Sequence, residues 1–344
     1  MVGTRTRSSS RSRALVAFGA LGLSATLALA GCSSDSQPGA PDSGPSGQST
    51  AEGATLMGEW PLTGLPANGP APKHPVMVVK IDNTASSSPQ VGLSKADLVT
   101  EELVEGGSTR LAVFYYSRLP RVVGPVRSFR ASDIGIVKPA KAVLVASGGA
   151  GPTVRRVASA GIRTFTEGAP GYYRDNARSA PYNLFMKLPE LAAKVKSHGT
   201  PAAYLPWGDA KSFPKGQRAR GLAAQFSGGH TTTWRYQGGK YRNVNSNASA
   251  KDQFRPDTVL VLRVKVGDAG YLDPAGNPVP ETKLTGSGEA MVFHGGQVVR
   301  GTWVKKGYAG TIGLRTKGGA LTLPPGHVWV ELVPASGGNV SITK

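Results

Sequence analysis

The stretch of sequence that decides the fold is residues 98–116, LVTEELVEGGSTRLAVFYY. Two segments rich in β-branched and aromatic residues flank the Gly106-Gly107 pair, which is typical of a β-hairpin. Helix is the alternative for the first segment, because Leu98, Glu102 and Leu103 also fit a 3.6-residue period. The stretch therefore predicts an antiparallel hairpin, with helix as the competing interpretation of its first arm.

The segments around this hairpin predict layered α/β structure. Residues 76–82 and 141–146 are apolar, β-branched runs of the kind found in buried strands. After the second run comes the loop Ser147–Gly151, and Pro152 then opens a predicted helix, since proline suits the first helical turn. Residues 162–166 predict one more strand. This strand–helix–strand order indicates an α/β unit.

The rest of the chain predicts one more helix and then β structure. Leu188, Leu191, Ala192 and Val195 recur at helical spacing, and Gly199 follows as a predicted C-cap. Beyond about residue 221 the sequence changes to short strands separated by glycine turns, which predicts a mainly antiparallel β region. The fold class expected is α/β (α+β), with an N-terminal α/β part at 70–220 packed with a β-rich C-terminal part at 221–344.

The N-terminus has the features of a bacterial lipoprotein signal. Four arginines precede an apolar stretch at residues 14–30, and Leu29-Ala30-Gly31-Cys32 has the pattern of a lipobox. We expect cleavage after residue 31 and attachment of diacylglycerol to Cys32; an ordinary signal peptide with an incidental cysteine is the alternative. Residues 32–69 are rich in Ser, Gly and Pro and predict a disordered tether. The expected location is the outer face of the cell membrane.

The charge of the chain bears on its partners. The formal net charge is +19, and removing the four arginines of residues 1–31 leaves +15. For an exported protein this favours anionic lipid headgroups and phosphate- or carboxylate-bearing wall polymers, and no nucleic acid is expected. A solvated basic surface that serves solubility is the alternative.

Several polar residues lie where the predicted strands end, and they predict a pocket for an anionic or sugar-like ligand. Arg127 and Arg130 follow a Gly-Pro turn and suit a carboxylate or phosphate, and the glycine loop before the helix offers N–H donors. A buried ion network among the same charges is the alternative. The candidate ligand-binding residues are Asp82, Asn83, Arg110, Arg127, Arg130, Gly148, Gly149 and Asn183.

Carboxylates in the same region raise the alternative of a cell-wall-active hydrolase. Asp82, Glu102 and Glu105 are the candidate acid/base residues, because paired carboxylates cleave glycosidic bonds. The five histidines lack metal-ligand spacing, and no metal or cofactor is expected. Trp234, Tyr236 and Tyr241 suit either sugar stacking or the core. We expect a non-catalytic envelope protein that binds an anionic or glycan ligand or a partner protein.

A set of motifs in this order resembles the YerB-like bacterial lipoproteins, over roughly residues 60–335. The resemblance implies an N-terminal α/β part and a C-terminal β-rich part, and it implies no activity. Ser88 and Tyr182 stand where the family usually has Arg and His, so no role is assigned to them. The motifs are VKIDN (79–83), GLSKADLV (92–99), ELVEGG (102–107), GPVRS (124–128), APYN (180–183), GSGEA (286–290), GTW (301–303) and PGHVW (325–329).

The lipid anchor predicts a test. Cys32→Ser removes the only cysteine, so we expect the protein to leave the membrane fraction after a high-salt wash, which strips electrostatic contacts. Immunoblotting of washed membranes measures the outcome. The matched variant Ser33→Ala keeps the cysteine and stays in the membrane fraction. Retention of Cys32→Ser in the washed membranes would contradict lipid anchoring.

Overall fold

The computed structural model describes residues 58–197 and 199–344. The predicted signal peptide, Cys32 and most of the predicted tether lie outside these residues. Residues 58–69 of the predicted tether are ordered, contrary to expectation. Leu62 is buried in the core. The Trp60 ring packs edge-on against Tyr116, with 5.8 Å between ring centroids. Burial of these apolar side chains places the start of the folded region before residue 69.

Helices are few and short in the described residues. The three α-helices are α1 (Asp133–Val137), α2 (Gly151–Ser159) and α3 (Leu188–Ala192). Single 3₁₀ turns lie at Ala85–Ser87, Leu93–Lys95, Glu105–Gly107, Lys138–Ala140 and Ala210–Ser212.

Strands make up most of the regular secondary structure of the described residues. The strands that precede residue 200 are β1 (Met77–Asp82), β2 (Leu98–Leu103), β3 (Thr109–Tyr115), β4 (Val143–Val145), β5 (Thr164–Phe165), β6 (Tyr172–Arg174) and β7 (Leu184–Met186). Those that follow are β8 (Gln217–Arg218), β9 (Gly221–Gln225), β10 (Thr231–Gln237), β11 (Lys240–Asn243), β12 (Thr258–Leu272), β13 (Pro278–Lys283), β14 (Gly286–His294), β15 (Gln297–Lys305), β16 (Gly313–Thr316), β17 (Gly319–Leu321), β18 (Val328–Pro334) and β19 (Asn339–Thr343).

One large mixed sheet organises the molecule. Its strand order is β17-β16-β15-β14-β12-β18-β2-β3-β1-β4-β5, with β13 paired to β12 and β8 to β15. A four-stranded sheet, β11-β10-β9-β19, and the ribbon β6-β7 complete the β structure. The predicted mixed α/β architecture is confirmed. Strands from both sides of residue 220 share the large sheet, and the domain division at that residue stays a prediction.

The hairpin predicted at residues 98–116 is confirmed. Strand β2 pairs antiparallel with β3, and Leu98 lies opposite Phe114. The turn between them needs glycine, because Gly106 and Gly107 have φ angles of 68° and 71°. The first arm is a strand rather than a helix, since β3 and β18 flank it and both satisfy its backbone groups.

The predicted strand–helix–strand unit is also confirmed. Strand β4 pairs parallel with β1 on one side and with β5 on the other. Helix α2 connects β4 to β5 and carries Pro152 in its first turn. This unit brings the glycine loop at residues 147–151 to the end of β4, beside the polar ends of β1 and β3.

The helix predicted up to Gly199 is too long. Helix α3 ends at Ala192, and the next turn tightens to a bond from Lys194 N to Leu191 O at 2.9 Å. Farther on, Ser197 N donates to Lys73 O at 2.7 Å, so another segment takes the backbone group that a longer helix would use. The apolar spacing instead reflects burial of Leu188, Leu191 and Val195. Residue 198, which falls within the predicted helix, lies outside the described residues.

The large sheet is covered on both faces, which explains why its central strands are apolar throughout. Val78, Leu98 and Phe114 belong to the core on one face, and Val79, Val99 and Val113 to the core on the other. Alternate residues of a strand point to opposite faces. Polar residues at the strand ends are therefore sorted onto two faces by the same alternation.

A pair of buried glutamates links the large sheet to the four-stranded sheet. Glu101 on β2 lies beside Glu331 on β18, and both are fully buried. From the small sheet, Trp234 Nε1 donates to Glu331 Oε1 at 2.6 Å, and His230 Nε2 lies 2.8 Å from Glu101 Oε1. The two sheets are joined through hydrogen bonds to two neighbouring carboxyl groups.

Only one of these two glutamates is charged. Burial and the negative charge of Glu101 raise the pKa of Glu331 well above its ordinary value. Burial also opposes charge on Glu101, but the hydrogen bond and charge of His230 outweigh it and lower the Glu101 pKa. The same contact raises the His230 pKa against the effect of burial. Glu331 is thus the protonated partner and Glu101 the carboxylate.

This assignment predicts a pH dependence of stability. Below the pKa of about 4.3 that glutamic acid has in the unfolded chain, the stability contributed by neutral Glu331 is fully present. As pH rises from there through the raised pKa of Glu331 in the folded protein, that stability is lost. Glu331→Gln keeps a neutral side chain that can accept from Trp234 and donate to Glu101. We expect the variant's advantage in free energy of unfolding over wild type to grow with pH, by up to about 1.4 kcal/mol per pH unit.

Urea unfolding between pH 5 and 8 measures this difference. The matched variant Glu289→Gln alters an exposed glutamate and should run parallel to wild type. Parallel curves for Glu331→Gln and wild type would show that Glu331 is ionised in the fold.

Candidate functional site

Three charged groups are fully buried beneath the end of β1. Lys80 Nζ lies 2.5 Å from Glu102 Oε1 and 2.8 Å from Asp133 Oδ1, and none of the three side chains has any exposed surface. Burial and the negative charge of Asp133 raise the pKa of Glu102. One cation between two carboxyl groups makes this a structural ion network, in which loss of Lys80 would leave uncompensated buried charge.

An arginine cluster lies above this network, formed by Arg110, Arg127 and Arg130 with Asp82 and Glu105. Arg130 donates two hydrogen bonds to the Glu105 carboxylate, and Arg110 Nη2 lies 3.7 Å from the same group. Arg127 Nε donates to Asp82 Oδ2 at 3.0 Å. Three cations thus face two anions, and Arg127 is the most exposed of the three, at 22%.

Arg110 carries the excess positive charge of the cluster. Its Nη1 donates to Ser128 O at 2.9 Å, while its Nε is buried without a hydrogen-bond partner among the described residues. Burial and the positive charge of Arg130 lower the pKa of Arg110 to about 10. The cluster alone has one more cation than anions, and the second carboxyl group of the Lys80 network beneath it offsets that excess. The partly exposed guanidinium of Arg127 is the group that a carboxylate or phosphate could reach.

The glycine loop lies beside this cluster, as the sequence predicts. Ser147 N donates to Arg127 O at 3.0 Å, and Phe129 N donates to Gly148 O at 2.9 Å. A Cβ atom at Gly149 would come within 2.7 Å of the Phe129 ring, so glycine is required for this close approach. The structure therefore brings Gly148 and Gly149 together with the arginines.

The two predicted asparagines are placed differently. Asn83 lies on the other face of the sheet, where its Nδ2 donates to Glu101 Oε1 at 3.0 Å. Asn183 Oδ1 accepts from Arg174 Nη1 at 2.7 Å. The segment before Asn183 does reach the cluster, because the Arg127 guanidinium lies 5.4 Å from the centre of the Tyr182 ring. Neither asparagine side chain is hydrogen-bonded to Arg110, Arg127 or Arg130.

The candidate acid/base residues all have cationic partners. Asp82 pairs with Arg127, Glu102 with Lys80 and Glu105 with Arg130. Burial opposes charge on Glu105, but hydrogen bonds from Arg130 outweigh it and lower the Glu105 pKa, which suits an ion-pair partner better than a general acid. Within residues 58–197 and 199–344, no three His, Cys, Asp or Glu side chains are grouped so as to hold a metal ion.

A second charged surface, which we call the basic face, was not predicted. It is the solvent side of β10 and β11, where Arg235 lies directly opposite Arg242; Gly221 on β9 is the other neighbour of Arg235. Both arginines are exposed, and among the described residues neither has a carboxylate within 4 Å. Like charges directly opposite each other destabilise a sheet, and no counterion among the described residues offsets this pair.

Two grooves lie near the β10–β11 turn. The groove lined by Arg242 extends the basic face, whereas the groove lined by Tyr236 lies toward the other face of β10, because Tyr236 directly follows Arg235. One, of about 400 Å³, is lined by Arg242 and Arg255. The other, of about 420 Å³, is lined by Arg218, Arg220 and Tyr236. Each groove therefore presents two guanidinium groups.

The sugar-stacking interpretation of the nearby aromatic residues is wrong for two of them. Trp234 and Tyr241 are fully buried in the core, and Tyr236 alone is partly exposed.

A simple sequence signal could have located the basic face. Residues 210–251 contain eight Lys and Arg residues and no Asp or Glu. These eight cations lie in about an eighth of the chain, whose formal net charge is +19. A block of one charge sign in a folded region indicates an interaction surface. The sequence does not reveal the strand register that places Arg235 opposite Arg242.

Comparison with known proteins identifies relatives of this chain. A relative named "Putative lipoprotein YerB", from Bacillus subtilis (strain 168), is 24% identical over 288 residues, which cover 80% of this chain and 86% of the relative. The crystal structure of the YerB protein from Bacillus subtilis matches with a TM-score of 0.68 at 20% identity, covering 82% of this chain and 99% of that chain. The structural match shows a shared fold and confirms the predicted YerB-like architecture.

In the part of the chain that the structure describes, no helix is both long enough and apolar enough to cross a membrane.

The family comparison covers most of the folded region. Residues 62–201 match the N-terminal domain, and residues 222–330 the C-terminal domain, of a protein family of unknown function, DUF3048. Because the two matches together span more than half of the sequence in the expected order, the chain belongs to the DUF3048 family.

Proposed function

We propose that this protein is a lipid-anchored, non-catalytic component of the cell envelope that binds an anionic wall polymer. The lipobox at Cys32 supports the anchor, as does the similarity to a relative named as a lipoprotein. A tethered protein with a mature charge of +15 is held close to the wall polymers that carry phosphate and carboxylate groups.

The basic face is the observation that carries the proposal. None of the strands β9, β10, β11 and β19 contains an acidic residue, and Arg235 faces Arg242 without a counterion. Guanidinium groups bind phosphate and carboxylate oxygens in bidentate geometry. A polyanion laid across these strands would relieve the repulsion between the two arginines and would continue into the groove beside Arg255.

Binding of inorganic polyphosphate by the full chain across a salt series tests this proposal. We expect Arg235→Gln/Arg242→Gln to weaken binding by about tenfold at low salt. It should also reduce the slope of log K against log salt by about 1.4, or about 0.7 for each lost contact. Without polyphosphate, the thermal midpoint should stay unchanged or rise, because the substitution removes a like-charge pair.

The matched control removes the same charge elsewhere. Arg121 and Arg315 are exposed and lie outside the basic face, so Arg121→Gln/Arg315→Gln should keep most of the affinity. Equal losses in the two double variants would show that binding follows net charge alone and would contradict a defined surface.

The arginine cluster is a second proposed contact for an anion, and Arg127 is its accessible member. Arg127→Ala should weaken anion retention while costing little stability, because Asp82 keeps hydrogen bonds from Thr84 N and Thr84 Oγ1 at 2.8 and 2.5 Å. If the ion pair with Asp82 is purely structural, the cost is roughly 3–5 kcal/mol and retention per folded molecule is unchanged. Thermal melting and polyphosphate binding, measured on the same samples, separate these outcomes.

A further inference from the structure

An apolar cavity opens at the start of β4, away from both charged surfaces. Its volume is about 630 Å³, within the range of sites that hold one small molecule. Pro75, Pro139, Val143 and Ile162 are among the apolar residues that line it, and Ala202 and Ala309 contribute from two later loops. The interior therefore suits a hydrocarbon group.

The charged residues that line the cavity all have the same sign. They are Lys138, Lys141, Arg163 and Lys196, and no carboxylate is among the lining residues. Lys141, Arg163 and Lys196 are exposed and Lys138 is partly exposed. In the described ranges, none of the four has an ion-pair partner within 4 Å. Four cations around an apolar cavity leave positive charge without compensation at its mouth.

Lys141 has an unusual backbone conformation. Its φ of 48° makes it the one residue other than glycine with a positive φ in the described part of the chain. It caps the 3₁₀ turn Lys138–Ala140, with its N–H bonded to Lys138 O at 3.0 Å. Glycine is the usual residue in such a left-handed cap, and a side chain there costs stability. Residues held in this conformation often lie at functional sites.

We infer that this cavity binds a single anionic amphiphile, with its hydrocarbon chain among the apolar residues and a carboxylate or phosphate head beside Lys141 and Arg163. An apolar interior with a cationic mouth matches the two ends of such a molecule. A concave cavity of this volume suits one ligand molecule better than the flat surface of a bilayer. This inference does not depend on the proposed polymer binding, because the two use different residues.

Isothermal titration of the full chain with dodecanoate, below its micelle concentration, tests the inference. Dodecanoate should bind at one site. Dodecyltrimethylammonium, which has the same chain and the opposite charge, and acetate, which has the charge and no chain, should each bind at least about tenfold more weakly. If dodecyltrimethylammonium or acetate binds as tightly as dodecanoate, the inference is overturned. It is also overturned if the protein binds vesicles containing phosphatidylglycerol but does not bind monomeric dodecanoate.

Substitutions at Lys141 separate charge from backbone strain. Lys141→Gln removes the charge and keeps the strained cap, so dodecanoate affinity should fall about fivefold or more with little change in thermal midpoint. Lys141→Gly should lose similar affinity while raising the midpoint, because glycine adopts this φ without strain. Loss of binding in a more stable protein cannot be attributed to misfolding.

A second position and a control complete the test. Arg163→Gln should also weaken dodecanoate binding. Arg315→Gln removes an exposed arginine that does not line the cavity, and dodecanoate binding should stay unchanged. If Lys141→Gln and Arg163→Gln bind dodecanoate as tightly as Arg315→Gln does, the cavity assignment is wrong. Polyphosphate binding should be retained in all of these variants, so failure of this inference and failure of the proposed function are distinguishable.

Discussion

The parallel pairing of β2 with β18 is the contact on which the rest of the structure depends. It sets Leu98 beside Val328 and Glu101 beside Glu331, although these residues are some 230 positions apart. This ladder joins the strands that precede residue 200 to those that follow it. It also places two carboxyl groups side by side in the core, and a buried charge must be paired or neutralised. Protonation of Glu331 and the contact of Glu101 with His230 meet that requirement.

The distribution of charge follows from the same constraint. Buried charges are compensated within the fold, as Lys80 is by Glu102 and Asp133. Some exposed charges have no such partner among the described residues, as Arg235 and Arg242 demonstrate. Isolated exposed ion pairs contribute about 0–1 kcal/mol to stability, so an unpaired surface cation costs the fold little. The fold therefore tolerates uncompensated cations at the surface.

The candidate site could be predicted in part, because neighbouring strands end at the same edge of a sheet. That rule brings Asp82, Arg110, Arg127 and Arg130 together, and the structure adds Glu105 as the partner of Arg130. It does not specify the face. Asn83 follows Asp82 directly, and strand alternation sends its side chain to the opposite side, beside Glu101. Glu105 was predicted as an acid/base candidate; its pairing with Arg130 depends on how the turn after β2 packs, which no local pattern encodes.

By itself, the sequence determined the elements whose signals are local. The hairpin around Gly106-Gly107 and the helix that opens at Pro152 follow from turn chemistry and from the period of apolar residues, and the lipobox is also a local pattern. Tertiary structure decided the end of α3, where Ser197 N bonds to Lys73 O instead of continuing a helix. It also decided the β2–β18 pairing and the cavity beside Lys141. These features join segments far apart in the chain, and their stability comes from burial and hydrogen bonding that exist only once those segments have met.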